Sequence, residues 1–159
     1  MLLEHLFVGS VQRALWRRAE GRLFAEILKP QVDDAGYDVV MECNGHVRHI
    51  QLKSSRIEAK TAFVNAQLRL QEKPSACVIW MFFEPESLEL SHYLWFGRGP
   101  GERLPALTSF PIAKHTKADS KGVKAERPDL RKISKGKFEK LNTLEQVVEH
   151  LFGIRCAAP

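Results

Sequence analysis

The chain has 159 residues, a formal net charge of +5 and a pI near 9.2, with 44% apolar and 27% charged residues. These values predict one globular domain over 1–159 with a buried core, exclude a disordered or low-complexity chain, and favour a polyanionic partner. No apolar run approaches membrane-spanning length, and three widely spaced cysteines without CxxC spacing indicate reduced thiols, so we expect a cytoplasmic protein with no membrane partner.

The first predicted element is an amphipathic helix from residue 2 to about residue 18, where apolar residues recur at three- and four-residue spacing. Glu20-Gly21 is a plausible end for that helix. The next segment, 22–29 with the sequence RLFAEILK, is apolar enough for the first strand of a sheet, and a second helix is the competing interpretation. Pro30 then interrupts regular structure.

A β-hairpin is predicted around Asn44-Gly45, a strong short hairpin signal because both residues tolerate positive φ. The flanking segments 37–43 and 47–53 are rich in apolar and β-branched residues and predict the two strands. Residues two apart on a strand share a face, so Gln51 and Lys53 point the same way.

Asp38 can lie beside Gln51 and Lys53 if all three share one face of the sheet. An acid, an amide oxygen and an ammonium group would then converge on one spot. Magnesium prefers oxygen ligands and usually keeps several waters, so one or two protein oxygens can suffice to hold it. A half-exposed hairpin with polar residues facing water is the alternative.

The middle of the chain predicts a sheet core. Residues 62–65 can form a strand and 66–72 a short helix that ends before Pro74. The uninterrupted apolar run 76–83, ACVIWMFF, is typical of a central strand covered on both faces, and 88–96 is expected to pair with it.

The segment 114–137 is strongly basic. It holds nine basic residues and three acids, an excess of six positive charges that exceeds the +5 of the whole chain. We predict a mobile surface loop or extended hairpin that contacts phosphates with a steep salt dependence, and a merely solvated loop is the alternative. The predicted nucleic-acid contacts are Arg17 and Arg18 on the first helix, with Lys114, Lys117, Lys121, Lys124, Arg127, Arg131 and Lys132.

The last predicted element is an amphipathic helix over 143–152, TLEQVVEHLF. Asn142 or Thr143 is expected to cap its N-terminus, because their side-chain oxygens can accept from the first free N–H groups. Gly153 is expected to end the helix in the left-handed conformation.

The stretch 33–55 resembles the PD-(D/E)XK nuclease superfamily, which has an Asp at the start of one strand and an acid-x-Lys on the next. Here the matching residues are Gly36-Tyr37-Asp38, twelve intervening residues, and Gln51-Leu52-Lys53 followed by Ser54-Ser55. The order Glu on the first helix, Gly-x-Asp, then Gln-x-Lys-Ser is similar to a small bacterial branch, with Glu4 as the helix acid. Gln51 departs from the usual acid and is a weaker, neutral Mg²⁺ ligand.

The resemblance implies a restriction-endonuclease-like α/β (α+β) fold, a mixed four- to five-stranded sheet flanked by N-terminal and C-terminal helices. It implies a Mg²⁺- or Mn²⁺-dependent endonuclease that hydrolyses phosphodiester bonds in DNA, and many nucleases of this kind work as homodimers. The implied metal ligands are Asp38, Gln51 and the main-chain carbonyl of Leu52. The implied catalytic residues are Lys53, which positions or activates water, and Glu4, with Glu26 as a spare acid if 22–29 is helical.

Two other classes of function compete with the nuclease. One is a catalytically inactive nucleic-acid-binding module of the same fold, which Gln51 favours. The other is a structural or regulatory protein whose basic segment contacts an acidic protein partner. Divalent-metal dependence separates the first two, and salt-sensitive DNA binding separates both from the third.

Overall fold

The computed structural model describes residues 2–32, 35–118, 120 and 122–154. Within these residues the helices and strands form three layers. The helices are α1 (Leu2–Arg18) and α2 (Leu144–Phe152). The strands are β1 (Glu26–Leu28), β2 (Val39–Cys43), β3 (His46–Arg56), β4 (Phe63–Gln67), β5 (Ala76–Phe83), β6 (Leu90–Gly97), β7 (Ile112–Lys114), β8 (Glu126–Ser134) and β9 (Glu139–Leu141).

The middle layer is a six-stranded sheet with the order β1-β2-β3-β5-β6-β9. β3 and β5 are parallel, and every other neighbouring pair in this sheet is antiparallel. The mixed α+β class agrees with the prediction, but the predicted sheet of four or five strands was too small. The three-residue strands at its edges, β1 and β9, are too short to produce a periodic signal in the sequence.

The predicted hairpin is confirmed. Asn44 and Gly45 both have positive φ, at 52° and 77°, which matches the twist of the flanking strands. The register pairs Cys43 with His46 and Val39 with Ile50, so β2 lies antiparallel along the first half of β3. The second half of β3 extends beyond β2 and pairs with β5.

A second, three-stranded sheet with the order β4-β8-β7 forms the third layer. β7 and β8 form the antiparallel hairpin that was one of the two predictions for the basic segment 114–137, rather than a loop. Unexpectedly, β8 is the central strand of this sheet, with Leu130 and Ile133 buried against its neighbours. Two basic residues, Arg131 and Lys132, separate these apolar positions and obscured the strand pattern in the sequence.

Both helices cover the same face of the large sheet. Phe7, Val11 and Leu15 of α1 are fully buried in one core with residues of both helices and β2, β3, β5, β6 and β9. The opposite face of the sheet is covered by the second sheet, and Val78 and Trp80 of β5 lie between the two sheets. β5 is therefore buried on both faces, as the sequence predicts.

The helix ends follow the predicted signals. Thr143 caps α2 in a capping box with Gln146, and Gly153 ends the helix with φ 66°. α1 ends at Arg18, and Glu20 and Gly21 follow with positive φ. The segment 22–29 holds the short strand β1, so the competing second-helix interpretation is wrong. No helix in the described part of the chain has the length and apolar character needed to cross a membrane.

Candidate active site

Asp38 lies immediately before β2 and is fixed against β3 by two hydrogen bonds. Its main-chain N–H donates to the carbonyl oxygen of Ile50 over 2.9 Å. Its Oδ2 accepts from the main-chain N–H of Leu52 over 2.6 Å, a short charge-assisted bond. The carboxylate thus takes the place of a main-chain acceptor at the point where β2 begins. This contact places the acid of the Gly-x-Asp motif beside the Gln-x-Lys motif.

Gly36, the first residue of the Gly-x-Asp motif, has a structural reason to be glycine. Its φ is 81°, a left-handed conformation that L side chains rarely adopt. A Cβ at this position would lie 2.9 Å from the Cβ of Gln67 and 3.1 Å from the main-chain N of Leu70. The close approach of this turn to β4 and the following 3₁₀ helix therefore requires glycine, and it sets the path by which the chain reaches Asp38.

One cavity of about 350 Å³ brings most of the predicted centre together. We call it the Asp38 cavity, and it lies between the start of α1, the end of the turn before β2, and the outer half of β3. Its lining residues are Leu2, Leu3, Glu4, Asp38, Leu52, Lys53, Ser54 and Met81. Four of the five residues that the sequence assigns to metal binding or catalysis, all except Gln51, are in this list.

Glu4 lines the Asp38 cavity from the first turn of α1, and its carboxylate forms an ion pair. The Nζ of Lys29 lies 2.6 Å from its Oε1, and the Glu4 side chain is only 20% exposed. Lys29 carried no signal in the sequence, because the pair joins residues far apart in the chain. The ion pair holds the Glu4 carboxylate in a defined position at the edge of the cavity.

Gln51 does not line the Asp38 cavity, and its side chain contacts β4 instead. It is 4% exposed, and its Oε1 accepts from the main-chain N–H of Gln67 over 3.1 Å. It lies directly opposite Asp38 in the extended hairpin register, but it does not line the Asp38 cavity. In this conformation the amide joins β3 to β4, so its contact is structural.

This contact makes a testable prediction about stability. We expect Gln51→Leu to lower the free energy of unfolding by about 1–3 kcal/mol, because the main-chain N–H of Gln67 loses its acceptor at a partly buried contact. Urea denaturation followed by circular dichroism measures the loss. Gln31→Leu, at an exposed position, is the matched control and should change the value by less than about 0.5 kcal/mol. Equal midpoints for both variants would contradict a structural role for Gln51.

The oxygen ligands at the Asp38 cavity suit a hard divalent cation. Its two acids are Asp38 and Glu4, and the remaining oxygens would come from the Leu52 carbonyl and water, as Mg²⁺ permits. Among the residues that the structure describes, no three His, Cys, Asp or Glu side chains are grouped as metal ligands. The described residues that line the Asp38 cavity include no His or Cys, the nitrogen and sulfur donors typical of a zinc centre.

The predicted nucleic-acid contacts divide into exposed and buried residues. Arg17, Lys132 and the members of the β7–β8 hairpin are exposed, namely Lys114, Lys117, Lys124 and Arg127. Arg131 is buried at 9% exposure and donates to the carbonyls of Pro128 and Leu130, so its prediction as a surface contact is wrong. Lys121 lies outside the described residues.

The helix arginines are remote from the Asp38 cavity. Glu4 lies in the first turn of α1, whereas Arg17 and Arg18 lie in its last turn. At 1.5 Å per residue, this separates them from Glu4 by about 20 Å along the helix. They can contact only a long ligand that also reaches the cavity.

Comparison with known proteins leaves the family open. No family model matches the chain, and no curated protein matches it. A solved structure of a bacterial homing endonuclease, I-Ssp6803I, is similar over 74% of this chain and 79% of that chain, with 19% sequence identity and a TM-score of 0.30. A TM-score of 0.30 is too low for this likeness to establish a shared fold.

Proposed function

We propose that this protein is a metal-dependent nuclease that hydrolyses phosphodiester bonds in DNA, with its active site at the Asp38 cavity. The observation that carries the proposal is the convergence of Glu4, Asp38, Leu52 and Lys53 on one cavity. The resemblance of the motif residues to the PD-(D/E)XK superfamily supports the same reaction. A Mg²⁺ or Mn²⁺ ion would supply the Lewis acidity that stabilises the charge developing on the phosphate oxygens.

Asp38 is the main ligand in this proposal. The Leu52 N–H fixes its Oδ2, so the carboxylate is ordered before any ligand arrives and loses little entropy on binding. Glu4 adds a second acid from the helix, directly or through a water, and the carbonyl of Leu52 adds a neutral oxygen. Gln51 could add its amide oxygen only after giving up or sharing its bond to Gln67.

Lys53 follows Leu52 on β3 and is one of the residues that line the same cavity. A lysine ammonium is a flexible point charge with three donors, so it can orient an attacking water or bind a phosphate oxygen. Its positive charge opposes the negative charge that builds on phosphorus-bound oxygens during hydrolysis. Lys53 is therefore proposed as the catalytic lysine.

DNA is the proposed substrate because exposed basic residues are concentrated on the β7–β8 hairpin and on β8. The exposed members of the predicted set supply charges that can neutralise backbone phosphates. Such contacts position a nucleic acid without reading its sequence.

The test is metal-dependent cleavage by the purified protein. We expect it to cut plasmid or oligonucleotide DNA with Mg²⁺ or Mn²⁺ and to lose that activity in EDTA. Isothermal titration with Mn²⁺ should show binding that Asp38→Asn weakens, because a neutral amide is a poorer ligand than a carboxylate. Cleavage in EDTA at the rate seen with Mg²⁺ would contradict the proposal.

The second candidate is a catalytically inactive DNA-binding module. One observation favours it: the oxygen of Gln51, which stands where the family has an acid, is engaged by the backbone of β4. This candidate would bind DNA with a strong salt dependence but would show no divalent-dependent cleavage. The same cleavage assay therefore decides between the two.

A further inference from the structure

A cationic cluster lies at the end of the sheets where β5 ends and β6 begins. His92 of β6 stacks on Phe82 of β5 with ring centres 4.5 Å apart and an interplanar angle of 11°. The Nζ of Lys135, in the 3₁₀ helix that follows β8 (Lys135–Lys137), lies 4.7 Å from the centre of the same Phe82 ring. Lys140 of β9 faces the same side of the large sheet, because it pairs with Leu94 of β6.

The electrostatics of this cluster are uniformly positive. Burial lowers the pKa of His92, and the charges of Lys140 and then Lys135 lower it further. Among the residues that the structure describes, neither lysine forms an ion pair, whereas the nearby Glu139 pairs with His150 on the other face. Two exposed lysines thus lie near an imidazole, and no described carboxylate is within ion-pair distance of either lysine.

The cluster lies on the same row of the sheet as the proposed catalytic lysine. Lys53 pairs with Trp80, Trp80 with Leu94, and Leu94 with Lys140, so this row crosses β3, β5, β6 and β9. Three strand spacings place the Cα atoms of Lys53 and Lys140 about 14 Å apart, a distance within the reach of one bound DNA duplex.

The cluster is also separate from the β7–β8 hairpin. Lys135 follows one end of β8, and the hairpin closes at the other end, where β8 begins at Glu126. From Arg127 to Ser134, β8 covers about 23 Å. Contacts at the hairpin and contacts at the cluster would therefore engage different parts of a ligand.

We infer that Lys135, Lys140 and His92 form a phosphate-binding site for the DNA backbone beside the Asp38 cavity. The inference rests on the proposed function for the identity of the ligand. The lysines supply charge to a phosphate, and the imidazole, fixed by stacking on Phe82, supplies a hydrogen bond. The contact would hold the DNA backbone two to three strands away from β3, with the Cα atoms of Lys53 and Lys140 about 14 Å apart.

The test is DNA binding by the double variant Lys135→Gln and Lys140→Gln, measured in EDTA so that no cleavage occurs. We expect fluorescence anisotropy with a short labelled duplex to show an affinity about tenfold or more below wild type. The slope of log K against log salt should become shallower by about two, because two phosphate contacts are removed. Both lysines are exposed, and thermal melting should show that the fold is retained.

Arg103→Gln is the matched control for this experiment. It removes one positive charge from an exposed residue that follows the opposite end of β6, and its salt slope should stay near that of wild type. A second readout is the NMR signal of the His92 ring, which should move when the duplex is added. If the double variant loses no more affinity than the control and the His92 signal stays unmoved, the phosphate site is overturned.

The two proposals fail in different ways. If DNA binding depends on Lys135 and Lys140 but no divalent metal ion supports cleavage, the phosphate site is supported and the nuclease proposal is refuted. Metal-dependent cleavage that Asp38→Asn abolishes, together with a double variant that binds like the control, would refute only the phosphate site. A third outcome is that inorganic phosphate moves the His92 signal as far as the duplex does, while the double variant binds the duplex like wild type. This outcome would identify a free anion as the ligand and would also refute the DNA phosphate site.

Discussion

Replacing Asp38 with asparagine is expected to reduce metal-dependent DNA cleavage by about a thousandfold or more. Asparagine keeps an oxygen that can accept from the Leu52 N–H, so the local geometry and the folding free energy should stay close to wild type. The change removes the charge of the residue that would hold the cation. Initial rates of plasmid nicking with saturating Mg²⁺ measure the effect.

Lys53→Met is the companion variant, because methionine retains much of the side-chain length and removes the ammonium. We expect a loss of about 10²–10⁴-fold in cleavage rate, the range for a positioned proton-transfer or charge-stabilising group. DNA affinity in EDTA should stay within a few fold of wild type, because Lys53 lies in the cavity and the exposed basic residues remain.

Glu58→Gln provides the matched control for both variants. Glu58 is exposed, follows the end of β3 and lies outside the Asp38 cavity, so the loss of its charge should leave the cleavage rate unchanged. A wild-type rate for Asp38→Asn would show that this carboxylate holds no essential ion. A similar loss of cleavage rate in Glu58→Gln would show that the rate depends on the net charge of the protein and not on the residues of the Asp38 cavity.

Local signals were enough to predict the frame of this site. The dipeptide Asn44-Gly45 specifies the hairpin because its backbone conformation is nearly unique among turns, and the hairpin then sets the register of β2 and β3. Once Val39 pairs with Ile50, Asp38 must lie opposite Gln51. The placement of the acid beside the Gln-x-Lys motif thus follows from a turn signal and the period of a strand.

Long-range contacts were not predictable in the same way. The partner of Gln51 is a backbone N–H of β4, and the partner of Glu4 is Lys29, and neither contact leaves a periodic or compositional trace. Arg131 was predicted to be exposed from its basic neighbours, but its side chain is buried on the central strand of the second sheet. Charge in a strand does not show which face each residue occupies until its partner strands are known.

Substitution of Arg48 is expected to cause the largest loss in the free energy of unfolding. It is fully buried on β3, where the sequence predicted only an ordinary strand residue. Its guanidinium donates to the hydroxyl of Ser75 and to the carbonyls of Arg98, Gly99 and His150, over 2.8–3.2 Å. It also lies 5.0 Å from the centre of the Trp95 ring. One side chain therefore ties β3 to the turn after β6 and to the end of α2.

Arg48→Ala is expected to lower the free energy of unfolding by about 3–5 kcal/mol. The change opens a cavity and removes the donor from three carbonyls, two of which belong to the turn after β6. Burial lowers the pKa of Arg48, because desolvation disfavours its charged form. Urea denaturation at constant m-value measures the loss.

Arg48→Met separates packing from hydrogen bonding. Methionine fills much of the volume but donates no hydrogen bond, so a loss of about 2 kcal/mol or more would assign the stability to the unpaired carbonyls. Arg56→Met at the exposed end of the same strand is the control and should change stability by less than about 0.5 kcal/mol. If Arg48→Met were as stable as wild type, the four hydrogen bonds would add nothing to stability beyond what the packing of the side chain contributes. The arginine would then be replaceable by an apolar residue, as some buried ionic groups are.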